Sequence, residues 1–276
     1  MISRSPATKP RNLGLSHVGL KASDVEASCA FYRDFLGFAE QARLYDRISG
    51  NLMLIVLKVS ETQWIEVFDG WKPGEHRLHQ VAFRVSDANL MRTELDHHGA
   101  RVPPKTPVGQ MGNLNFEVKA PTGQIVELVQ YLSNGTTERQ RDQFLSTTRI
   151  SDRIRHVQIA TTPMEANLAF LTRLHLTKSK DDSPSSDPAK TTRTRWITDT
   201  GDFVDCVDGE PAIAHVGLDV RNITDAVNRL EHTPYRHHYP RALAWQVGAD
   251  NHRFLDVFDP DGIRIRLTEG ADATLT

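Results

Sequence analysis

The sequence predicts an α+β fold in which one structural module occurs four times, because the 276-residue chain repeats itself at two levels. At the first level, WIEVFDG at 64–70 matches FVDCVDG at 203–209, with an acidic third residue and a closing Asp-Gly in both copies. The offset from Glu66 to Asp205 is 139 residues, and the same offset carries His17 onto His156. Two landmarks that share one offset indicate two copies of one larger unit.

Each of these units divides again into two modules. LHQVAFRVSDANLMRTELDHHGA, from residue 78, repeats the design of LSHVGLKASDVEASCAFYRDFLGF, from residue 15. Both stretches predict a strand, a Ser-Asp pair at the start of a helix, and a helix that ends at Gly99 or Gly37. Runs rich in β-formers, such as TQWIEVF and QIVELVQYL, follow each helix. The predicted module is therefore βαβββ.

The modules divide the chain into two predicted domains. The first domain covers 13–132, with modules 13–70 and 78–132, and the second covers 153–270, with modules 153–209 and 212–270. The flanking segments are predicted as a disordered lead-in (1–12), a polar linker (133–152) and a tail (271–276). The run 178–194 is charged and rich in Pro and Ser, which favours a disordered insertion over a functional lid.

Composition and charge exclude several classes of partner. The apolar fraction is 39%, the charged fraction is 25% and the formal net charge is −2, so nothing predicts attraction to nucleic acid or anionic membranes. No apolar run approaches the roughly 18 residues of a membrane span, and no secretory signal is recognisable. Cys29 and Cys206 lie in apolar segments and predict buried thiols. We therefore expect a cytoplasmic protein, as a monomer or homodimer, without a nucleic-acid or membrane partner.

Three stretches together resemble the vicinal oxygen chelate superfamily: HVGLKASDVEASCAFYRDFLGF, APTGQIVELVQYL and FDPDGIRIRLTEG. That group includes glyoxalase I, methylmalonyl-CoA epimerase, extradiol ring-cleavage dioxygenases, and bleomycin and fosfomycin resistance proteins. The resemblance runs from about residue 13 to 269. It implies two glyoxalase/bleomycin resistance/dioxygenase-like domains, in each of which two modules form a curved mixed sheet around a cup.

The resemblance also implies metal ligands on the first and last strands of a module, and strand register selects the candidates. Side chains alternate between the two faces of a strand, and His17 precedes the apolar Leu20 by three residues. In the second module the residue three before Phe83 is Gln80, whereas His79 should point away from the cup. Gln80 is therefore the expected ligand, unless a β-bulge shifts the strand in favour of His79.

Two carboxylates in the last strands complete the candidate set, which is His17, Glu66, Gln80 and Glu127. All four residue types can donate a lone pair to a divalent cation. A buried pair of carboxylates without a cation would repel, which favours a metal over polar groups that satisfy one another around water. The set is similar to that of glyoxalase I, some of whose members use one Gln, one His and two Glu.

In the second half the matching residues are His156, Asp205, His215 and Arg266. Alignment of PTGQIVEL with PDGIRIRL puts Arg266 where Glu127 stands in the first copy. A guanidinium cannot ligate a cation, so we expect an Arg266–Asp205 ion pair and a degenerate site. A surviving His156/Asp205/His215 metal site and an arginine that clamps an anionic group are the alternatives.

The first half is therefore the predicted site of chemistry, with one divalent metal ion (Ni, Zn, Co, Mn or Fe) as cofactor. Two adjacent substrate oxygens on such an ion become an enolisable unit, and Glu127 or Glu66 can move the proton. This predicts a glyoxalase-, epimerase- or isomerase-type reaction through an enediolate. A ring-cleaving dioxygenase and a binding protein without turnover, of the antibiotic-resistance kind, are the alternatives. Trp64 shares the face of Glu66 and is predicted either to contact substrate or to belong to the core.

Overall fold

The computed structural model describes residues 9–162, 164–180, 193–209, 212–248 and 251–270. Within these residues the chain forms two mixed β-sheets, and the helices pack against them in one core. This confirms the predicted α+β fold class with curved sheets. The first sheet is built from strands between residues 12 and 130, and the second from strands between 154 and 269.

The first sheet has seven strands. They are β1 (Asn12–Lys21), β2 (Ala39–Tyr45), β3 (Leu52–Lys58), β4 (Trp64–Phe68), β5 (Leu78–Val85), β6 (Leu114–Lys119) and β7 (Ile125–Gln130). Their order in the sheet is β2-β3-β4-β1-β5-β7-β6. β1 pairs in parallel with β4 and antiparallel with β5, which in turn pairs in parallel with β7. The two modules therefore meet along β1 and β5.

The second sheet has the same plan with eight strands. They are β8 (Ile154–Ala160), β9 (Thr177–Lys178), β10 (Arg193–Ile197), β11 (Phe203–Val207), β12 (Ala212–Val220), β13 (Gln246–Val247), β14 (Arg253–Phe258) and β15 (Arg264–Glu269). Their order is β13-β14-β15-β12-β8-β11-β10-β9. β8 pairs in parallel with β11 and antiparallel with β12, so it occupies the place that β1 has in the first sheet.

The described residues form five α-helices. They are α1 (Val25–Ala30), which continues into a π-helical turn (Phe31–Phe35), α2 (Ala88–His97), α3 (Thr136–Arg139), α4 (Met164–Arg173) and α5 (Ile223–Glu231), followed by a 3₁₀ turn (Pro234–His238). The carboxylates of Asp24 and Asp87 accept hydrogen bonds from backbone N–H groups of α1 and α2, as the Ser-Asp pairs predict. Gly37 ends the first helical segment at a positive φ of 79°.

The second module differs from the predicted βαβββ order. Only β6 and β7 follow α2 in it, and Val108 makes an isolated bridge to Leu114 where a third strand is expected. Three prolines lie in this stretch, Pro103, Pro104 and Pro107. Proline has no N–H to donate to a strand ladder, which accounts for the missing strand.

A β-bulge precedes one inward-facing residue on the first strand of every module. The register shifts place the extra residue at 16, 79, 155 and 214, directly before His17, Gln80, His156 and His215. We call the sheet face that bears these four side chains the cup face. Leu15 and Val18 on either side of the first bulge belong to the core. The bulge therefore turns the next side chain to the cup face without removing its neighbours from the core.

The two halves are joined by directional contacts as well as by a shared core. The amide nitrogen of Gln63 donates to the carbonyl of Ile154 at 3.0 Å, and the Ile154 N–H donates to the Gln63 amide oxygen at 2.9 Å. The buried Tyr32 hydroxyl donates to Asp259 at 3.1 Å. Cys29 and Cys206 are buried, as predicted.

Some predictions fall on parts of the chain that are not described. Residues 1–8 of the lead-in, 181–192 of the predicted insertion, and the tail 271–276 lie outside the described residues. The bounds of the two domains and of the linker 133–152 stay a prediction. Among the described helices, none is both long and apolar enough to cross a membrane.

Candidate metal centre

The four residues predicted as ligands in the first half converge on the cup face of the first sheet, in a place that we call the first cup. His17 Nε2 lies 2.9 Å from Glu127 Oε2 and 3.4 Å from Glu66 Oε2. The Gln80 amide nitrogen lies 2.9 Å from His17 Nε2, 2.8 Å from Glu127 Oε2 and 3.2 Å from Glu66 Oε2. All four residues are buried. One centre therefore holds two carboxylates, one imidazole and one amide.

The structure brings Gln80, and not His79, into this centre. The bulge that the sequence left open is present at position 79, where the register steps from Gly19–Gln80 to Leu20–Leu78. It does not exchange the two residues: the ring of His79 lies against Phe68, with 4.1 Å between ring centroids. Gly19 leaves room for this arrangement, because a Cβ there would come within 2.8 Å of the Gln80 side chain.

A chain of three hydrogen bonds leads from His17 to the backbone. The Ser16 hydroxyl lies 3.0 Å from His17 Nδ1 and 2.8 Å from the Tyr131 hydroxyl, and that hydroxyl donates to the carbonyl of Thr62 at 2.8 Å. A carbonyl only accepts, so the proton directions follow one another: Tyr131 to Thr62, Ser16 to Tyr131, and His17 Nδ1–H to Ser16. The Nε2 lone pair of a neutral His17 is then left facing the carboxylates.

Burial and facing charges shift the pKa values in the first cup. Burial alone would lower the pKa of His17, but the charges of Glu66 and Glu127 outweigh it and raise that pKa. Burial raises the pKa of Glu66 to about 7. Burial also acts against ionisation of Glu127, but the His17 charge and hydrogen bonds from His17 and Asn115 outweigh it and lower its pKa. The centre therefore favours an added positive charge, either a proton or a metal ion.

The donor chemistry of this centre fits a divalent cation. The Nε2 of neutral His17 and the two carboxylates are lone-pair donors, and rotation of the Gln80 amide would present its oxygen. Two ligands on one such ion lie ~3 Å apart, close to the separations observed. In this structure the candidate metal ligands are hydrogen-bonded to one another. Among the described residues, no group of three His, Cys, Asp or Glu side chains stands in an arrangement that could already hold a metal ion.

Trp64 forms part of the wall beside the centre. Its ring stacks between those of His17 and Tyr131, with centroids 6.0 and 5.6 Å away, and it is 3% exposed. It packs with Leu54 and Val56 in a small cluster separate from the main core. The indole thus supports the His17 ring, and contact of Trp64 with substrate stays a prediction.

In the second half the predicted ion pair between Arg266 and Asp205 is wrong. Arg266 forms a two-pronged pair with Asp256 at 2.8 Å for both contacts, and Asp205 forms one with Arg195 at 2.8 and 3.0 Å. Both observed pairs join residues directly opposite each other on adjacent antiparallel strands. Such neighbours are close without any side-chain search across the cup, which is the physical reason for the exchange of partners.

The two histidines of the second half do meet. His156 Nε2 and His215 Nε2 lie 2.8 Å apart, and their rings are perpendicular. Burial lowers the pKa of His156 to about 4 and that of His215 to about 2. Asp205 is engaged by Arg195, so the alternative His156/Asp205/His215 metal site is not assembled in the described part of the chain.

Sequence reasoning missed Ser16, Asn115 and Tyr131, which support the first cup. Asn115 donates a short hydrogen bond to Glu127 from the neighbouring strand. Ser16 precedes the predicted ligand directly, and Tyr131 follows the last strand of the domain, so their positions were visible. The role of Ser16 was not predictable, because strict alternation would turn its side chain away from the cup.

Comparisons with known proteins agree with this architecture. A family model described as the glyoxalase/bleomycin resistance protein/dioxygenase superfamily matches residues 14–128. A search of curated proteins finds no significant match.

Three solved structures illustrate the shared fold. The Mn(II)-bound glyoxalase from Novosphingobium aromaticivorans is 17% identical, with a TM-score of 0.70, over 94% of this chain and 83% of that chain. The 2,3-dioxygenase LapB from Pseudomonas sp. KL28 is 14% identical, with a TM-score of 0.71, over 95% and 94%. A variant of homoprotocatechuate 2,3-dioxygenase from B. fuscum is 19% identical, with a TM-score of 0.69, over 98% and 74%. Residues 14–128 thus match the glyoxalase/bleomycin resistance protein/dioxygenase superfamily, in agreement with the resemblance that the sequence motifs predict.

Proposed function

We propose that the chain is a metal-dependent enzyme whose first cup binds a small substrate through two adjacent oxygens and moves a proton on the neighbouring carbon. The observation that carries this proposal is the convergence of His17, Glu66, Gln80 and Glu127 at separations of 2.8–3.4 Å. A divalent ion held by these residues would supply Lewis-acid stabilisation of negative charge on the substrate oxygens. The substrate class is that of glyoxalase-, epimerase- or isomerase-type reactions, in which an enediolate forms and is reprotonated.

The two carboxylates are held differently, which suggests different roles. Glu127 lies within 2.9 Å of both Gln80 and His17 and accepts a further short hydrogen bond from Asn115. Glu66 lies farther from the same two partners, at 3.2 and 3.4 Å. We assign the well-held Glu127 as the firmer ligand and the looser Glu66 as the group that moves the proton. Both remain in the proposed ligand set.

His17 is proposed as a ligand through Nε2, held in place by Ser16. The hydrogen bond from Nδ1–H to Ser16 fixes the tautomer that leaves Nε2 with its lone pair. Trp64, backed by the Tyr131 ring, holds the imidazole from the side and keeps water from its flank. These side chains orient and shield the donor without taking part in proton transfer.

Ring cleavage with O₂ is the second candidate. The chain shares its fold with two 2,3-dioxygenases along nearly its whole length, and a further similar structure is described as an extradiol ring-cleaving dioxygenase. An open face on the same ion would admit a catechol as readily as another pair of adjacent oxygens. A binding protein without turnover is the third outcome that an experiment has to separate.

Metal content separates the enzyme proposals from simple binding. Protein grown in medium supplemented with Ni, Zn, Co, Mn and Fe should contain about one divalent ion per chain, measured by mass spectrometry of the elements. The Glu127→Gln variant should bind that ion at least ~10-fold more weakly, and the surface variant Glu165→Gln should not differ. Less than ~0.1 ion per chain, unchanged in Glu127→Gln, would contradict the proposal.

Substrate assays then separate the reactions. The loaded protein should turn over the adduct of a 2-oxoaldehyde with a thiol, and exchange the adjacent carbon-bound hydrogen with deuterium from solvent. The Glu66→Gln variant should keep its metal better than Glu127→Gln and lose exchange. Oxygen uptake with catechols and no exchange would establish ring cleavage instead. Inactivity in both assays with every metal would leave a binding protein.

A further inference from the structure

The second sheet carries a cavity that the proposed reaction does not use. It lies on the cup face around His156, Asp205, His215 and Arg266, which we call the second cup, and its volume is about 400 Å³. Small-molecule sites have volumes of roughly 300–1,000 Å³. The cavity is therefore large enough for a small metabolite.

Arginines outnumber carboxylates among the residues that line this cavity, while Arg153 and Arg266 pair with Asp202 and Asp256 outside the lining. Five arginines line it against three carboxylates; the arginines are at 153, 155, 193, 195 and 266, and the carboxylates are Asp205, Asp219 and Glu269. Arg155 and Arg193 are 38% and 49% exposed. Among the described residues, their shortest ion pairs are 4.0 Å to Asp219 and 3.7 Å to Asp205. These two guanidinium groups keep most of their hydrogen-bonding capacity for a ligand.

Two other arginines are held rigidly on the cavity wall. The Arg195 guanidinium lies 3.7 Å above the Phe203 ring while it pairs with Asp205, and that of Arg266 lies 4.1 Å from the Phe254 ring while it pairs with Asp256. A guanidinium that is stacked and paired loses little further freedom when an anion binds beside it. The same positive groups would repel a cation.

Two histidines that line the cavity also carry uncommitted polar atoms. The Nδ1 atoms of His156 and His215 are buried and have no hydrogen-bond partner among the described residues. Since the two Nε2 atoms share one hydrogen bond, a neutral pair has one Nδ1 that donates and one that accepts. Buried groups of this kind are normally satisfied by a ligand or by water.

We propose that the second cup is a binding site for a small oxyanion, a carboxylate or a phosphate group on a compact molecule. Arg155 and Arg193 would bind the anionic group at the rim, with Arg195 and Arg266 fixed on the wall and the histidine pair beneath. This site is separate from the first cup and does not depend on the reaction proposed there.

Calorimetric titration of the full chain tests this proposal with named probes. Inorganic phosphate and succinate are the two anionic arms, and neutral succinamide is the matched control. At least one anion should bind with a stoichiometry of one, succinamide should not bind, and the tighter arm identifies phosphate or carboxylate as the preferred group. No binding by either anion, or equal binding of succinamide, would overturn the proposal.

Variants locate the site. Arg155→Gln combined with Arg193→Gln should weaken the anion at least ~10-fold, because each removes a charge-assisted contact. Arg221→Gln, a 96% exposed arginine outside the cavity, should have no such effect. Equal weakening by Arg221→Gln would show general charge attraction and overturn the site. Thermal unfolding of each variant without ligand reports whether it is folded.

Two further outcomes separate this site from the first cup. Glu127→Gln should lose metal and keep the anion, so joint loss would place the anion in the first cup. In the Glu127→Gln variant, the spectrum of added Co(II) should contain no band that disappears when His215→Ala is introduced as well. Such a band would show that the second cup holds a cation, contrary to the proposal.

Discussion

In the first cup Glu127 faces Glu117 across β7 and β6, whereas at the same positions of the second cup Arg266 faces Asp256 across β15 and β14. The two cups also differ in the residue opposite their other carboxylate. Glu66 is opposite Val56, and its counterpart Asp205 is opposite Arg195.

Two arginines on one scaffold therefore convert a centre short of positive charge into a cavity lined by more arginines than carboxylates. The pairing of backbone strands is the same in both halves. Cup chemistry is thus set by cross-strand neighbours, and the fold itself is compatible with opposite charges.

Exchange of the two equivalent residues should have the largest effect on this comparison. Glu127→Arg should lower metal affinity of the first cup at least ~100-fold, because a cation replaces an anionic ligand. The reverse change, Arg266→Glu, adds a carboxylate beside His156 and His215, so the metal content should rise toward about two ions per chain. Element analysis measures both. A folded Arg266→Glu protein with unchanged metal content would show that more than charge separates the cups.

Acid should act on the two cups in opposite directions. In the second cup, buried His156 and His215 have pKa values of about 4 and 2, below the value of about 6.5 in an unfolded chain. The unfolded chain therefore binds more protons below pH 6.5, and the second half should lose about 2 kcal/mol per histidine, or about 4 kcal/mol for the pair, between pH 6.5 and 4.5.

In the metal-free first cup, folding stability changes with pH in the opposite direction. Burial raises the pKa of Glu66 from 4.5 to about 7, so the stability associated with its protonated form is lost as the pH rises through that range. Urea unfolding at several pH values, read by hydrogen-exchange pulses at one fixed pH, resolves the two halves. The His215→Gln variant, which has the residue type of Gln80, should lose less stability in acid. A loss of stability in acid equal to that of the parent chain would show that the buried histidine pair is not its cause.

Removal of the hydrogen-bond chain behind His17 should have the smallest effect. In the second half, Arg155 and Gly270 stand 139 residues after Ser16 and Tyr131, so the hydrogen-bond chain has no equivalent there. His156 Nδ1 accordingly lacks, among the described residues, the hydrogen-bond partner that His17 Nδ1 has.

Ser16→Ala should therefore weaken metal binding about 10-fold, and Tyr131→Phe should weaken it somewhat less. Metal competition titrations measure the change, and ¹⁵N spectra of His17 report its tautomer. The exposed Tyr45→Phe is the control. An unchanged tautomer in Ser16→Ala would contradict the role assigned to the chain.

Repeat structure predicted the two halves, and strand phase, combined with the ligand positions that the family resemblance implies, selected the four residues of the first cup. The 139-residue offset predicts two halves, and the apolar spacing of Phe83 selects Gln80 over His79. The first depends on an internal repeat and the second on local periodicity, and a sequence carries both directly. The role of these four residues as metal ligands stays a prediction.

The partner of Arg266 was predicted wrongly because it depends on which strand lies beside β15. Asp256 in RFLDVF and Arg195 in RTRWI occupy edgeward strands whose register was not worked out from the sequence. The role of Ser16 was missed for a related reason. A one-residue bulge leaves no periodic signal, and it changes the face of every side chain that follows.

The fourfold bulge makes this scaffold suitable for the design of new binding sites. In each module the residue after the bulge points into a cup while its neighbours keep the core intact, and Gly19 and Gly217 leave space for the side chain on the facing strand. A designer can therefore address four inward positions of one chain, at 17, 80, 156 and 215, without repacking the interior. Gly217 sets the limit: a Cβ there would come within 2.1 Å of the His156 ring, so any larger residue would displace that ring.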